Sequence, residues 1–294
     1  MPAKMGEFVK PFRIEDGAGF RLKDFDPADT RGLKSKEHAR EILEDGVARL
    51  TELQEKLYAQ DQWAILVVLQ GMDAAGKDST VKHVMSGLNP LACSATAFKV
   101  PSDDELQHDY LWRTTRVLPS RGSIGVFNRS YYEEVLVVRV HPEALKREKL
   151  PQELVTKKIW QERYEDINAH ERYLSRNGIV ILKFFLNLSN KEQKKRFLKR
   201  LDEPEKNWKF RLSDVQERQH WGEYMRAYEK MLQNTSTAHA PWHVVPADHK
   251  WFARLVVAEA LIDALEKVDP EYPKLDAERH AELKKARAFL KAEE

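Results

Sequence analysis

Residues 64–80 read AILVVLQGMDAAGKDST, and this segment joins a β-strand pattern to a phosphate-binding loop. Its first six residues are continuously apolar and rich in β-branched side chains, which is typical of a central strand in a parallel sheet. The loop contains Gly71, Gly76 and Lys77 and leads directly into a predicted helix. Glycines let backbone N–H groups face a phosphate, the helix N-terminus adds positive potential, and lysine bridges phosphate oxygens. The segment therefore predicts a phosphate site where the strand ends.

The same alternation of strand and helix continues on both sides of this segment. Apolar runs predict five strands: Ala64–Leu69, Ala95–Val100, Ile124–Phe127, Ile179–Leu186 and Trp242–Val245. The intervening patterns predict seven helical stretches: Ser35–Gln60, Asp78–Leu88, Ser102–Val117, Tyr131–Val138, Pro151–Leu174, Asn190–Glu229 and Trp251–Leu265. Such an order indicates an α/β domain built on a parallel sheet. We expect an irregular arm over residues 1–34, one domain over 35–270 and a surface helix over 271–294.

Two positions in the loop depart from the usual pattern of a glycine, any four residues and then Gly-Lys-Ser/Thr. Asp78 occupies the Ser/Thr position, whose hydroxyl normally contacts Mg²⁺, and Ser79 comes only after it. Asp73 is the second departure, because a carboxylate beside bound phosphates is repelled unless a metal or a proton intervenes. Asp73 therefore predicts a Mg²⁺ ligand or a base for an incoming phosphate. The predicted phosphate-binding residues are Gly71, Ala74, Ala75, Gly76, Lys77, Asp78 and Ser79. A strand-to-helix turn without a ligand stays open as the alternative.

The third predicted strand ends in a second polar cluster, FNRSYYEE at residues 127–134. P-loop kinases often hold the metal from an acidic residue at this strand end, and here the residue is Asn128, a weaker ligand. Arg129 can neutralise phosphate charge with its planar guanidinium. The alternative for Arg129 is an ion pair with Glu133 or Glu134.

A basic segment follows the fourth predicted strand. Residues 191–211 contain nine Lys or Arg and four Asp or Glu, a local charge of +5. Charge runs are usually solvated helix faces, but nucleotide kinases carry a lid at this point in the chain, and a closing lid excludes water from the phosphates. We expect a lid over about 190–230 with Arg211 as its phosphate-binding arginine. Lys82, Arg200 and Lys209 are predicted to line a channel for an anionic chain.

The composition limits the classes of protein that the chain can form. There are 49 Lys and Arg against 47 Asp and Glu, so the net charge is only +2. This balance speaks against a basic coat for nucleic acid or membranes, although it permits one local channel whose anion binding weakens with salt. The single cysteine, Cys93, makes a disulfide scaffold or a structural zinc site improbable on counting grounds. With no long apolar stretch, we expect a cytoplasmic protein with no nucleic-acid or membrane partner.

The motifs together resemble the family-2 polyphosphate kinases, over about residues 20–270. The matching segments are FRLKDFDP (20–27), GMDAAGKDS (71–79), DYLWR (109–113), FNRSYYEEVLVVRV (127–140), LKFFL (182–186), RLD (200–202), WKFR (208–211), APW (240–242) and Trp251. The resemblance implies a P-loop kinase fold, with a five-stranded parallel sheet flanked by helices and a helical lid. It also implies a Mg²⁺-dependent transferase, with Mn²⁺ as a substitute ion, that moves the terminal phosphoryl of inorganic polyphosphate to AMP or ADP, reversibly.

By this resemblance Asp73, Lys77, Arg129 and Arg211 are the catalytic residues, and Asp73 and Asn128 are the metal ligands. Many members have Asp where this chain has Asn128. Partners implied by the resemblance are inorganic polyphosphate, adenine or guanine nucleotides, and copies of the same chain in a homodimer or homotetramer.

Four residues are predicted to set the nucleotide specificity. Glu133 resembles the subclass that accepts both AMP and ADP, since the ADP-preferring subclass tends to have Asn there. Asp109, Trp112 and Arg116 follow the second predicted strand, where an acceptor nucleotide could bind. Ordinary core packing is the preferred interpretation of Trp112 and its apolar neighbours. Two other functions stay open, an ATP-dependent nucleoside monophosphate kinase of thymidylate-kinase type and a non-catalytic nucleotide- or polyphosphate-binding module.

Overall fold

The computed structural model describes residues 8–33 and 35–293, and we number its strands and helices in chain order. The strands are β1 (Arg13–Ile14), β2 (Ala64–Gln70), β3 (Cys93–Ala97), β4 (Ile124–Asn128), β5 (Ile179–Asn187) and β6 (Trp242–Pro246). The α-helices are α1 (Lys36–Gln60), α2 (Lys77–Val84), α3 (Trp112–Thr115), α4 (Val137–Val140), α5 (Ile159–Arg176), α6 (Asn190–Asp202), α7 (Leu212–Glu217), α8 (Trp221–Thr235), α9 (Lys250–Val268) and α10 (Ala277–Ala292). Short 3₁₀ helices cover Lys10–Phe12, Leu22–Asp24, Pro90–Ala92, Glu105–Gln107, Tyr131–Val135, Leu145–Glu148, Gln152–Leu154, Pro204–Lys209 and Arg218–His220.

The strands form one sheet in the order β1-β6-β5-β2-β4-β3. Strands β2 to β6 run parallel, as the apolar runs predicted, whereas β1 pairs antiparallel with β6 through Arg13 and Ile14. The expected five-stranded sheet is therefore a six-stranded, mixed one. The arm supplies the extra strand, and its two residues are too few to show the alternating pattern by which a strand is predicted.

The sheet separates two apolar layers, and β2 contributes side chains to both. Ile65, Val67 and Leu69 face a cluster that includes buried side chains of α1 and α9, while Leu66 and Val68 face one that includes α5 and α8. A strand that is buried on both faces has no polar alternation, which explains its continuous apolar sequence. The carboxyl ends of the parallel strands stay free for polar loops.

The arm lies over its own domain on both sides of the sheet. Phe8 and Phe12 pack edge-on against Phe252 of α9, with ring centroids 5.8 and 6.0 Å apart. Phe20 and Leu22 belong to the opposite cluster, and the Leu22 N–H donates to Glu229 of α8 (2.8 Å). The remaining residues of the predicted arm, 1–7 and 34, lie outside the described residues.

Several predicted helices are wrong in extent: α2 ends at Val84, and residues 190–229 are divided among α6, α7 and α8 with 3₁₀ helices between them. The stretches predicted from Ser102 and from Pro151 also differ. The stretch from Ser102 to Val117 does start with the expected reciprocal bonds between Ser102 and Glu105, but it breaks at His108, whose backbone is extended. The helix predicted from Pro151 begins only at Ile159. Local side-chain bonds such as the one from the Lys158 N–H to the Thr156 hydroxyl (3.1 Å) compete with helical ones in that region.

The predicted lid, about residues 190–230, consists of packed ends and an exposed middle. Helix α6 buries Phe197 and α8 buries Tyr224, so both are attached to the core. Residues 203–220 include α7 and contain no buried side chain; we call them the surface segment. Helix α10 is exposed along its whole length. No helix of the described chain is both long and apolar enough to cross a membrane.

Candidate active site

The phosphate loop connects β2 to α2 at the carboxyl edge of the sheet. Gly71 has φ 154°, and a Cβ there would lie 3.0 Å from the Leu186 carbonyl oxygen, so only glycine fits. The Lys77 ammonium lies across the loop and donates to the carbonyl oxygens of Gly71 (2.6 Å) and Met72 (3.3 Å). Burial, and next the positive charge of Arg129, lower the pKa of Lys77 to about 8. A phosphate bound beside this ammonium would stabilise its charged form.

Arg129 joins the loop to the end of β4. Its Nη2 donates to Asp73 Oδ1 (2.7 Å) and its Nη1 donates to Glu133 Oε2 (3.1 Å). The Glu133 charge is the main cause that raises the pKa of Arg129, so the guanidinium stays protonated. The backbone of Arg129 has φ 65°, a strained conformation for a residue with a side chain. The ion pair with Glu133, which was the alternative interpretation of Arg129, is therefore present, and the same guanidinium also reaches the loop aspartate.

The two positions that depart from the usual phosphate-loop motif contact each other. Asn128 Nδ2 donates to Asp78 Oδ1 (2.7 Å). Asn128 is the last residue of β4, and Asp78 is the second residue of α2, the helix that follows β2 and the phosphate loop. Both side chains therefore belong to the polar carboxyl edge of the sheet.

Two residues of α6 hold the loop from behind, and sequence reasoning gave them no such role. Arg196 donates from Nη1 to the carbonyls of Ala74 (2.8 Å) and Ala75 (3.0 Å), and from Nη2 to those of Ala247 (2.6 Å) and Asp248 (3.0 Å). Gln193 Nε2 donates to the Asp73 carbonyl (2.8 Å). The sequence showed Arg196 only as one of nine basic residues in a charged run. Its burial signal is the i, i+3, i+4 spacing of Gln193, Arg196 and Phe197, which marks the inner face of α6.

A positive cluster lies next to these loop supports. The pKa of Lys250, at the start of α9, is lowered to about 8 by partial desolvation and then by the charges of Arg196, Arg254 and Arg200. Arg196, Arg254 and Arg200 therefore lie within electrostatic range of Lys250, and Glu192, which pairs with Arg196 (3.0 Å), partly offsets their charge. Arg200 was predicted to line an anion channel, which stays a prediction, and the sequence analysis did not name its neighbours Lys250 and Arg254.

Helix α7, which begins directly after Arg211, lies within electrostatic range of the loop. The pKa of Asp214 in α7 is raised by desolvation and next by the charge of Asp73, and it is opposed by Arg200, Arg211 and Arg129. These influences put α7 within electrostatic range of both the loop and Arg129. Arg211 itself is exposed, and its assignment as a phosphate-binding residue stays a prediction.

Other predicted site residues are not joined to the loop. Within the described chain, no hydrogen bond or ion pair connects Lys82, Lys209 or Asp109 to it. Trp112 stacks on His108, with ring centroids 3.8 Å apart, and Arg116 lies 4.5 Å above the Trp112 ring. This stack is half-buried at most, so the core-packing interpretation of Trp112 is only partly met.

A further polar contact, which the sequence did not suggest, ties the surface segment to the domain. Glu217 Oε1 at the end of α7 lies 2.6 Å from His141 Nε2, and the Tyr224 hydroxyl donates to the same oxygen. His141 follows α4, directly after the segment that contains Arg129. The contact therefore links the position of α7 to the polar edge of the sheet.

The polar edge offers hard oxygen donors that suit Mg²⁺. Within the described chain, no three His, Cys, Asp or Glu side chains come together as a metal-binding group. Asp73 and Asp78 each have one carboxylate oxygen in a hydrogen bond, to Arg129 and to Asn128. The Oδ2 atom of each carboxylate accepts no side-chain hydrogen bond from the described residues. Mg²⁺ is usually held by one or two carboxylates together with substrate phosphates, so this donor set fits the ion.

A phosphate loop at the carboxyl edge of a parallel sheet, with an arginine from the neighbouring strand in front of it, defines the chain as a P-loop kinase. A sequence model of the Polyphosphate kinase 2 (PPK2) family matches residues 33–273. The chain belongs to this family.

Relatives and a solved structure agree over nearly the whole length. The chain is 50% identical over 283 residues to the ADP-polyphosphate phosphotransferase of Rhodopseudomonas palustris, covering 96% of this chain and 98% of that one. It is 44% identical over 266 residues to the AMP/ADP-polyphosphate phosphotransferase of Meiothermus ruber, covering 90% and 96%. The crystal structure of Polyphosphate Kinase 2 from Arthrobacter aurescens superposes with a TM-score of 0.87 at 40% identity, covering 98% and 97%.

Proposed function

We propose that the protein transfers the terminal phosphoryl group of inorganic polyphosphate to AMP and ADP, and that the transfer is reversible. The observation that carries the proposal is the Arg129 bridge from Asp73 to Glu133 in front of Lys77. The bridge brings a phosphate-neutralising cation and two carboxylates to the mouth of the loop. Relatives named as ADP- and AMP/ADP-polyphosphate phosphotransferases support the choice of donor and acceptor.

The chain contributes to transfer by holding two anions in line. The loop N–H groups and Lys77 hold the donor end, and Arg129 holds the transferring group from the opposite side. The terminal phosphorus–oxygen bond of the donor breaks while an acceptor phosphate oxygen forms a new bond to that phosphorus. Such transfer depends on positioning and charge neutralisation more than on covalent chemistry by the protein. Arg211 would complete the charge balance from the surface segment.

We propose Mg²⁺ as the cofactor, with Mn²⁺ able to replace it. The residues that would hold the ion are Asp73 and the hydrogen-bonded pair formed by Asn128, at the end of β4, and Asp78, in α2. When bound, the ion would supply positive charge that neutralises the charge developing on the phosphates. Asp73 would not repel a bound phosphate in that case, because the charge of the ion would offset that of its carboxylate.

The acceptor preference is assigned to Glu133, whose side chain is 14% exposed and paired with Arg129. We expect Glu133→Asn to lower turnover with AMP more than with ADP, because it removes one charge from the Arg129 partner set. The measurement is kcat/KM for both acceptors with one polyphosphate donor. Equal losses for AMP and ADP would contradict the specificity role. Guanine nucleotides are an additional acceptor class for the same assay.

The polyphosphate chain is proposed to leave the loop along the positive cluster of Arg200, Lys250 and Arg254. The neighbouring positive charges lower the pKa of Lys250, and a bound polyanion would reduce the repulsion between these charges and Lys250. The affinity for polyphosphate should fall as salt rises, because exposed charges are screened.

We also propose that copies of the chain associate as a homodimer or homotetramer. Support comes from α10, which carries exposed apolar side chains at Leu283 (50%), Phe289 (73%) and Leu290 (67%) on an otherwise charged helix. Light scattering on the purified protein tests this, and a monomer at all concentrations would contradict it.

A donor assay tests the activity. The protein is incubated with ADP, Mg²⁺ and long-chain polyphosphate without ATP, and in parallel with AMP. Formation of ATP and of ADP is the expected result. If neither forms while ATP phosphorylates a nucleoside monophosphate, the chain is an ATP-dependent kinase instead. Binding without turnover would indicate a non-catalytic module. An Asp73→Ala variant that retains its fold should lose turnover.

A further inference from the structure

The contact between Asn128 and Asp78 relates two sequence departures that had looked independent. Asp78 stands where a phosphate loop usually has a hydroxyl on Mg²⁺, and Asn128 stands at the strand end from which an aspartate usually reaches it. In this chain the amide of Asn128 donates to the carboxylate of Asp78 over 2.7 Å. The two usual ligand positions are therefore in direct contact, with the carboxylate on the helix side.

We propose that the metal-binding carboxylate has moved from β4 to α2: Asp78 binds the metal ion, and Asn128 is a positioning residue that orients it. This refines the proposed function and rests on it. The charge near the ion is the same as with an aspartate at position 128, since one carboxylate replaces the other. The hydrogen bond uses Oδ1 of Asp78, and Oδ2 is the oxygen available to a ligand.

The surroundings favour Asp78 over Asn128 as the ligand. Asp78 is exposed and forms no ion pair with the described residues, so its carboxylate is accessible to a metal ion. The other loop carboxylate, Asp73, is already paired with Arg129 (2.7 Å). The charge on Asp78 is also among the influences acting on buried Lys77, so the carboxylate lies within electrostatic reach of the phosphate site. An anionic oxygen is a stronger Mg²⁺ ligand than an amide oxygen.

The proposal makes opposite predictions for ADP with and without metal. Without metal the Asp78 carboxylate repels the phosphates, so D78N should leave the affinity for free ADP unchanged or improve it. With metal the same substitution removes a ligand, so the affinity for Mn²⁺·ADP should fall at least about tenfold. A structural defect in the loop would weaken both forms together.

The experiment measures both affinities in four proteins. Binding of Mn²⁺·ADP is followed by the water-proton relaxation rate, which rises when the complex binds protein. Binding of ADP in excess chelator is followed by calorimetry. The proteins are the wild type, D78N, the exchange variant D78N/N128D, and D104N, a control with an exposed aspartate that lies outside the loop. Circular dichroism and thermal melting verify the fold of each.

The exchange variant is the decisive one. It restores a carboxylate within the same hydrogen-bonded pair, so its Mn²⁺·ADP affinity should return to within about threefold of the wild type. The proposal is overturned if D78N binds Mn²⁺·ADP as the wild type does, if D78N weakens free ADP equally, or if D78N/N128D binds no better than D78N. Failure of the proposed function shows separately, as wild-type protein that forms no ATP from ADP and polyphosphate.

Discussion

The phosphate loop and the surface segment face the same polar edge but are held in very different ways. Loop carbonyls accept hydrogen bonds from Lys77, Gln193 and Arg196, all three of which are buried. The surface segment, residues 203–220, contains no buried side chain. Its ties to the domain are polar, such as the contact of Glu217 with His141 (2.6 Å).

This difference separates a preorganised site from a part that can move. A loop whose carbonyls are already satisfied keeps its N–H groups aimed at phosphate, so little reorganisation accompanies binding. A segment with few buried contacts opens at low free-energy cost, which a lid that admits a polymer requires. Substitutions in the loop should therefore change affinity or chemistry strongly, and those in the surface segment should change them mildly.

The largest effect is expected for Lys77→Met. The substitution removes the one buried cation within the loop but keeps most of its packing volume, so turnover should fall by about 10³-fold or more. The measurement is ATP formation from ADP and polyphosphate, with circular dichroism to verify the fold. Lys157→Met, at an exposed position before α5, is the matched control and should keep full activity. If the variant kept about one tenth of the wild-type turnover, Lys77 would not have the proposed role in the site.

A second substitution tests the support beneath the loop. Arg196→Met leaves four carbonyl oxygens without their donor, so we expect a loss of about 2–4 kcal/mol in unfolding free energy. Polyphosphate affinity should fall as well. Urea denaturation measures the first effect and calorimetry the second.

Its control lies on the same helix. Lys195 is 78% exposed, and Lys195→Met should change the unfolding free energy by less than about 0.5 kcal/mol. If both variants unfold alike, the preorganisation of the loop does not depend on Arg196, and the contrast with the surface segment loses its basis.

The sequence predicted the parallel strands well because their signal is local. Apolar runs such as residues 64–69 are buried on both sides, and the loop after β2 has a fixed glycine and lysine spacing. Strand β1 was missed because its two residues pair with β6, more than 200 positions away. The break at His108 was missed because an extended residue inside a helical pattern has no sequence signal.

The residues of the candidate site also differ in whether a local sequence signal predicts them. Lys77, Arg129 and Asp73 were named because motif positions carry them, and the structure places them in contact or in electrostatic range. The contacts of Arg196, His141 and Glu217 join elements far apart in the chain, so no spacing rule reaches them. The pairing of Asp78 with Asn128 likewise needed the adjacency of β2 and β4.

A smaller effect is expected in the surface segment. Glu217→Gln weakens the contact with His141, which we expect to be worth about 1 kcal/mol, as for other partly exposed pairs. A free-energy change of 1.4 kcal/mol alters an equilibrium tenfold, so the loss of about 1 kcal/mol should make opening of α7 about fivefold more frequent. Hydrogen exchange of residues 203–220 measures this, and kcat should fall by a similar factor.

Global stability is the control for this variant. Urea unfolding should be unchanged within about 0.5 kcal/mol, and Glu205→Gln, in the same segment, should change neither measurement. If Glu217→Gln lowered the unfolding free energy by more than a few kcal/mol, the surface segment would be part of the core. It would then not differ from the loop in the way proposed.

An effect of similar size, about fivefold, concerns pH and the positive cluster behind the loop. The pKa of Lys250 is lowered to about 8, so its ammonium is charged below that pH and neutral above it. A bound polyanion favours the charged form, and the contribution of Lys250 to polyphosphate affinity is therefore present at low pH and lost as pH rises through 8. We expect an affinity about fivefold weaker at about pH 9 than at about pH 7.5 from this group.

Lys250→Arg isolates that contribution, because arginine keeps its charge throughout this range. Lys77, whose pKa is also lowered to about 8, contributes a decline that both proteins share, so the difference between their profiles reports Lys250 alone. The variant should match the wild type at low pH and bind more tightly at high pH. Identical profiles would place Lys250 outside the polyphosphate path and confine preorganised anion binding to the loop itself.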